Sequence, residues 1–268
     1  MPEGHTLHRL ARDFRGWFGG GQVLRVSSPQ GRFADAAALI DGNLLERTEA
    51  HGKHLFLGFP ARRWVHVHLG LYGKFTVGPL PAPAPVGALR LRIAGEEQYA
   101  DLRGPTACEL VGPAEKAIVH ARLGADPLRR DAHPERSWQR ITSSRTAIGI
   151  LLMDQTVLSG VGNVFRAELL FRHTMSPFRP GLAVSAEDWE AMWSDLKALM
   201  RAGVASNRIV TTRSEHRRLA RRSRVPPVEE SFYVYRRAGE PCRICGTTVL
   251  TEVMQGRNLY WCPNCQAV

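Results

Sequence analysis

Apolar positions near the start of the chain recur at the spacing of an amphipathic helix. Between residues 7 and 18 they fall three and four residues apart, and three glycines follow at 19–21. Residues at this spacing lie on one face of a helix, and glycine is a common helix terminator. The pattern predicts a helix over 7–18 that buries one face.

The pattern changes to short strands between Val23 and about Val111. Apolar and polar residues alternate at 64–69 and at 89–93, and a proline-rich loop at 79–85 lies between them. Alternation with period two indicates strands that bury one face. Many short strands without intervening helices are typical of a β-sandwich or barrel.

Helical periodicity returns after about Ala114. The clearest helix begins at Ser185, where Ser185 and Asp188 form a capping-box-like start. Its apolar stripe is explained by core packing. The arginine-rich stretch 213–224 predicts a solvated basic loop, and residues 232–235 have the pattern of a strand.

Charge and composition narrow the class of partner. The 268 residues are 44% hydrophobic, and 36 Lys and Arg against 25 Asp and Glu give a net charge of +11. Such a balance favours a polyanion, either nucleic acid or an anionic membrane, unless the protein is merely basic. No run reaches the ~18 apolar residues of a membrane span, and the first residues do not resemble a signal peptide. We expect a cytoplasmic protein without a membrane partner.

Four of the five cysteines form two Cys-x-x-Cys pairs, sixteen residues apart: Cys242, Cys245, Cys262 and Cys265. This spacing predicts a zinc ribbon, and four sulfur ligands leave no position for water, so one structural Zn²⁺ is expected. A redox dithiol is the alternative, but it needs only one pair. Cys108 stands alone and is expected to be a buried thiol. Zinc ribbons occur in nucleic-acid enzymes and in interaction modules, so the ribbon alone does not give the function.

Further motifs give the chain a family resemblance. They are Met-Pro-Glu-Gly at 1–4, His-Gly-Lys-His at 51–54, His-Leu-Gly-Leu-Tyr-Gly at 68–73, the segment 154–168 with its Gly-Val-Gly-Asn turn, and Gln-Gly-Arg at 255–257 before the second cysteine pair. In this order they resemble the formamidopyrimidine-DNA glycosylase/endonuclease VIII family. The Leu-Tyr-Gly ending and the Met-Pro-Glu-Gly-His-Thr start resemble the endonuclease VIII branch, in its actinobacterial form.

The resemblance implies three catalytic residues. Pro2, after removal of Met1, would be a secondary amine able to form a Schiff base with a sugar. Glu3 would move a proton at the sugar ring. Lys53 would contact phosphate and support charge at the lesion. Without the other motifs, each residue has an ordinary explanation. Met-Pro-Glu is a common chain start, and Lys53 would be an exposed loop lysine.

The resemblance also implies DNA-binding side chains. Leu71 and Tyr72 would fill the void left by a flipped nucleotide, although Leu71 alone resembles a core strand residue. Asn163 would donate to a phosphate beside a glycine-rich helix start. The remaining DNA-binding candidates are His68, Arg103 and Arg257.

The implied fold is α+β. It comprises an N-terminal β-sandwich with flanking helices at 1–115, a linker region at 116–135, a helix–two turns–helix domain at 136–225 and a zinc finger at 226–268. The implied function is base-excision repair: a bifunctional DNA glycosylase and abasic-site lyase that excises oxidised bases, pyrimidines favoured, by β,δ-elimination. The expected partner is damaged, double-stranded DNA, bound by a monomer associated with the nucleoid.

Two departures from the family leave alternatives open. Thr6 stands where the family has a second glutamate, and no phenylalanine closely follows Arg103. A non-catalytic lesion-binding protein, a glycosylase for oxidised purines and a zinc-ribbon interaction module are the competing interpretations. The zinc-ribbon module has no use for the N-terminal motif.

Overall fold

The computed structural model describes residues 2–217 and 226–267, and it divides the chain into two units, Met1–Arg122 and Leu123–Val268. The helices are α1 (Gly4–Phe18), α2 (Ala34–Ala38), α3 (Pro113–Ala121), α4 (Pro134–Thr142), α5 (Ile148–Leu151), α6 (Asn163–Arg172) and α7 (Ala186–Ser206). The strands are β1 (Arg25–Ser27), β2 (Arg47–His51), β3 (His54–Phe59), β4 (Arg63–His68), β5 (Lys74–Pro79), β6 (Leu89–Ala94), β7 (Gln98–Arg103), β8 (Ala107–Val111), β9 (Leu250–Met254) and β10 (Arg257–Trp261).

Two antiparallel four-stranded sheets form the N-terminal unit. Their strand orders are β1-β6-β7-β5 and β2-β3-β4-β8. Alternate residues of both sheets point into one buried apolar cluster, which also takes in the apolar face of α1. Phe14 of α1 is fully buried there, and its ring lies 4.8 Å from that of Phe75. The sandwich is therefore held by side chains from both sheets and the first helix.

Helices dominate the C-terminal unit, and the hairpin β9–β10 completes it. The buried stripe of α7 packs with residues of α4, α5 and α6 in a second apolar cluster. A third cluster joins α6 to the region of the cysteine pairs through Phe171, Tyr233 and Val249. No helix among the described residues is long and apolar enough to cross a membrane.

One buried carboxylate links α6 to the chain that leads into the finger. Glu168 is fully buried and accepts hydrogen bonds from the backbone N–H groups of Tyr233, Val234 and Tyr235, each at 2.8 Å, and from the Thr211 hydroxyl. Burial raises the pKa of this carboxyl group, and the four hydrogen bonds oppose the shift because they favour the charged form. The carboxylate thus satisfies backbone donors that would otherwise be buried without partners.

Several expectations from the sequence are confirmed. The N-terminal helix, the strands at 64–69 and 89–93 and the mixed α+β class are all present. Ser185 caps α7, since its hydroxyl accepts the Asp188 N–H at 3.1 Å.

One expectation is wrong, and two others concern regions for which only the local structure is given below. Residues 232–235 are not a strand, because three of their N–H groups bind Glu168 and cannot pair in a sheet. The range 116–135, expected as a linker region, holds most of α3. The basic stretch 213–224 begins with a 3₁₀ turn at Ser214–His216, and residues 218–225 lie outside the described part of the chain.

Replacing Glu168 by glutamine should destabilise the C-terminal unit. An amide offers one acceptor oxygen in place of two, so two of the four donors lose their partner. At ~1–3 kcal/mol for each unsatisfied buried group, we expect a loss of about 2–6 kcal/mol in the free energy of unfolding, measured by denaturant titration. Glu229→Gln, at an exposed carboxylate, is the matched control, and equal midpoints for the two variants would contradict the role given to Glu168.

Candidate functional site

The four paired cysteines converge in the structure. Their ligand atoms all lie within 4.8 Å of one another, and the Sγ–Sγ distances are 3.9 Å for Cys242–Cys265 and 3.5 Å for Cys245–Cys262. A Zn–S bond of about 2.3 Å places tetrahedral ligands roughly 3.8 Å apart, so these sulfurs fit a zinc ion. Gly246, at φ +79°, provides the turn that follows the first pair.

A side-chain amide shapes the turn that precedes α6. Gln155 donates to the Val161 carbonyl at 3.0 Å and to the Met153 carbonyl at 2.8 Å, and its Oε1 accepts the Gly160 N–H at 3.0 Å. Gly160 adopts φ +92°, a conformation that favours glycine. The turn therefore holds the N-terminus of α6 and Asn163 in one arrangement.

Asn163 and Arg257, two predicted DNA-binding residues, are brought together within the C-terminal unit. Asn163 Nδ2 donates to the carbonyl of Asn258 at 2.9 Å, and Asn258 directly follows Arg257 in β10. Arg257 is exposed at the end of the hairpin, after Gln255 and Gly256 at positive φ. The Asn163 side chain thus connects the start of α6 to the finger hairpin.

Arg166, which belongs to none of the sequence motifs' predicted contacts, organises this junction. Its side chain is 1% exposed, and its guanidinium donates to Asn163 Oδ1 and, at 3.2 Å, to the Asn258 carbonyl. Because Arg166 occupies the amide oxygen of Asn163, the amide nitrogen is directed at the hairpin. The available signal was a lone cation between Phe165 and Ala167 in an apolar stretch of helix.

Lys53 sits in the tight connection between β2 and β3. Gly52, at φ +56°, makes the turn, and His51 pairs with His54 across it. His54 in turn pairs with His68 of β4. Lys53 is half-buried. Burial lowers the pKa of His68, and the charge of Lys53 adds to that effect. The structure therefore brings together Lys53 and His68, both predicted functional residues.

Beside Lys53 lies a face of the second sheet that is rich in histidine. His54 Nδ1 is 2.8 Å from His66 Nε2, and His51 Nδ1 is 3.1 Å from His120 Nδ1 of α3. Burial, with smaller contributions from neighbouring histidines, lowers the pKa of His54 to about 3, and burial also lowers the pKa values of His66 and His68. These three rings are therefore neutral at physiological pH, which avoids repulsion of Lys53. The alternation His66-x-His68 was the sequence signal for this face.

Leu71 and Tyr72 form the exposed tip of the loop between β4 and β5. Their side chains are 53% and 86% exposed and lie next to each other in the chain. Gly104, next to Arg103, lies against this loop, since a Cβ built there would be 3.3 Å from the Tyr72 carbonyl oxygen. Arg103 itself donates to Asp101 at 3.1 Å. The two void-filling candidates and Arg103 are thus neighbours at one edge of the unit.

Pro2 and Glu3 lie at the start of α1. Pro2 is half-buried, while Glu3 is fully buried and serves as the N-cap residue without a side-chain capping bond. His5 is 5% exposed, and burial lowers its pKa to about 4. Thr6 Oγ1 lies 3.4 Å from His5 Nε2. A proline beside a buried carboxylate can supply an amine nucleophile and a proton carrier once Met1 is removed.

Family models match most of the chain. Residues 1–108 match the formamidopyrimidine-DNA glycosylase N-terminal domain, and residues 123–214 match the H2TH, or helix–two turns–helix, domain of the same enzymes. Residues 239–268 match a zinc finger found in FPG and IleRS. The match and the sulfur geometry confirm the prediction of one structural zinc ion.

Curated relatives and solved structures agree with the models. The chain is 53% identical to Endonuclease 8 1 of Mycobacterium tuberculosis over 273 residues, which cover 99% of this chain and 100% of the relative. It is 30% identical to formamidopyrimidine-DNA glycosylase of Corynebacterium aurimucosum, with 99% and 96% covered. The MutM (FPG) structure from Thermus thermophilus is similar, with a TM-score of 0.77, 26% identity, and 99% and 98% covered. The Lactococcus lactis Fpg complex with abasic-site DNA has a TM-score of 0.80 at 16% identity, with 99% and 100% covered, which shows the fold alone.

The histidine-rich face should make stability depend on pH. The pKa of His54 is about 3 in the fold and 6.5 ordinarily, so the unfolded chain takes up the proton first as the pH falls. The contribution of His54 to the free energy of unfolding is therefore fully present above pH 6.5 and is lost as the pH falls towards 3. At pH 5 the loss from His54 is about 2 kcal/mol. In denaturant titrations between pH 7 and pH 5, the free energy of unfolding of His54→Gln should fall by about 2 kcal/mol less than that of the parent protein. His133→Gln, at an exposed histidine, should behave as the parent, and an unaltered pH profile in His54→Gln would contradict this account.

Proposed function

The chain belongs to the formamidopyrimidine-DNA glycosylase/endonuclease VIII family, and from that membership we propose that it is a base-excision-repair DNA glycosylase with abasic-site lyase activity. The observation that carries the proposal is the chain start, where Pro2 is half-buried beside the fully buried carboxylate of Glu3. The relative named Endonuclease 8 1 supports the endonuclease VIII branch.

Pro2, with Met1 removed, is the nucleophile. Its nitrogen attacks the sugar C1′ as the base leaves, and a cationic Schiff base forms. Glu3 moves protons at the sugar ring during opening. Elimination at C3′ and then at C5′ releases both strand ends with their phosphates and leaves a one-nucleotide gap. Lys53 stabilises negative charge at the lesion, next to the neutral ring of His68.

Phosphate groups are held by the junction of α6 with the finger hairpin. One amide hydrogen of Asn163 serves the Asn258 carbonyl, and the second is directed to a phosphate. Arg257 binds a neighbouring phosphate through its guanidinium. The zinc ion holds the finger that carries Arg257 and takes no part in the chemistry. Binding weakens steeply with salt because phosphate contacts release counterions.

Damaged duplex DNA is the substrate, and the enzyme acts as a monomer. The damaged nucleotide leaves the stack, and Leu71 and Tyr72, which are exposed at a loop tip, fill the space. Arg103 contacts the bases at the same edge. The Leu-Tyr pair and the absence of a phenylalanine close after Arg103 favour oxidised pyrimidines over oxidised purines.

Single-turnover excision on matched duplexes tests the activity and the lesion preference. We expect thymine glycol to be excised faster than 8-oxoguanine, and Glu3→Gln to slow excision about 10²-fold or more, the usual contribution of a general acid–base. Glu97→Gln, an exposed carboxylate, should retain the parent rate. Faster removal of 8-oxoguanine would overturn the pyrimidine preference. DNA binding without excision of any lesion would favour a non-catalytic, lesion-binding protein.

Changes at Arg166 should weaken DNA binding without slowing the chemistry. Arg166→Lys keeps the charge but loses the planar fork that bonds Asn163 and Asn258 together, so the Kd for an abasic-site duplex should rise about tenfold. The excision rate at saturating enzyme should stay at the parent value. Arg201→Met, at an exposed arginine, removes a charge without touching the junction and should change Kd less. A Kd unchanged in Arg166→Lys would contradict the positioning role.

A further inference from the structure

Three of the six tryptophans of the chain line one surface cavity of the C-terminal unit. Trp138 belongs to α4, while Trp189 and Trp193 belong to α7. The cavity has a volume of about 240 Å³, larger than the roughly 150 Å³ cavity that holds a benzene ring. A small planar group therefore fits in it. None of the motifs assigned to DNA or zinc contributes to its lining.

The indole rings present an aromatic wall. The rings of Trp138 and Trp189 are stacked at 6.4 Å and 22°, and those of Trp189 and Trp193 lie 5.8 Å apart. Trp189 is 5% exposed and anchors the group in the core, while Trp138 and Trp193 are half-buried. The faces of aromatic rings carry negative electrostatic potential and attract cations, tryptophan most strongly.

Two carboxylates complete the lining of the cavity. Glu135 and Glu190 are both exposed. Glu135 is bonded to His133 Nδ1 at 2.8 Å, whereas Glu190 makes no hydrogen bond or ion pair with residues 2–217 or 226–267. The lining contains these two carboxylates and no lysine or arginine, so its charge favours a cation over the phosphates of DNA.

We propose that this cavity binds the guanidinium group of an arginine side chain presented by a partner protein. The guanidinium is planar, stacks on aromatic faces and is weakly hydrated, and it pairs with a carboxylate through two parallel N–H bonds. The aromatic wall supplies the stacking surface, and Glu190 supplies the carboxylate. A lysine ammonium is a compact, strongly hydrated charge and makes less use of this wall. The site goes beyond DNA repair chemistry and does not depend on it.

The test is ¹⁹F NMR of the full-length, zinc-loaded protein labelled with 5-fluorotryptophan. A Gly-Gly-Arg-Gly-Gly peptide with blocked ends should shift the resonances of Trp138 and Trp193. Those of Trp17, Trp64 and Trp261, which lie elsewhere in the chain, serve as internal controls and should stay in place. The same peptide with citrulline, a neutral isostere of arginine, should produce no shift.

A charge variant that keeps the packing makes the test specific. Glu190→Gln should weaken arginine-peptide binding about two- to fivefold, the effect of one exposed ion pair, and Glu97→Gln should leave it unchanged. Both variants should retain the parent excision rate, which separates this site from the repair site. Equal responses to citrulline or to tetramethylammonium, shifts in all six resonances, or binding of free arginine but not of the peptide would overturn the proposal.

Discussion

Two buried side chains of opposite charge, Arg166 and Glu168, lie on one turn of α6 and connect this helix to the rest of the C-terminal unit. Arg166 bonds Asn163 and the finger hairpin, and two residues later Glu168 bonds the backbone that leads into the finger. A buried charge is costly unless hydrogen bonds compensate it, and here each charge has at least one partner far away in sequence, Asn258 for Arg166 and residues 233–235 for Glu168. The helix, the loop and the hairpin are therefore specified together, and the zinc site completes the finger.

In the N-terminal unit the corresponding constraint is the two-residue period of the second sheet. Leu55 and Val67 point into the sandwich core, while His54, His66 and His68 point to the other face. That face keeps its imidazoles neutral by burial, next to the turn that carries Lys53. Because side chains alternate between the two faces of the sheet, the same strands supply the core and the surroundings of Lys53.

Local signals in the sequence were sufficient to predict the zinc site, two of the helices and the family. Cysteine spacing predicted the zinc site, periodicity predicted α1 and α7, and the ordered motifs predicted the family. What the sequence did not reveal depends on distant partners. Residues 232–235 have strand-like side chains, but a carboxylate 65 residues or more earlier in the chain takes up their N–H groups. The role of Arg166 is hidden in the sequence for the same reason, because its bonding partners include a carbonyl 92 residues away.

In the mechanism proposed above, the chain start forms a covalent bond with the sugar of a damaged nucleotide. The most direct measurement is borohydride reduction of the protein, with its native N-terminus, on a duplex that contains one abasic site, followed by mass spectrometry of the trapped peptide. We expect a stable adduct on the nitrogen of Pro2. An adduct located on Lys53 or another lysine, or no adduct from zinc-loaded protein that binds the duplex, would contradict it.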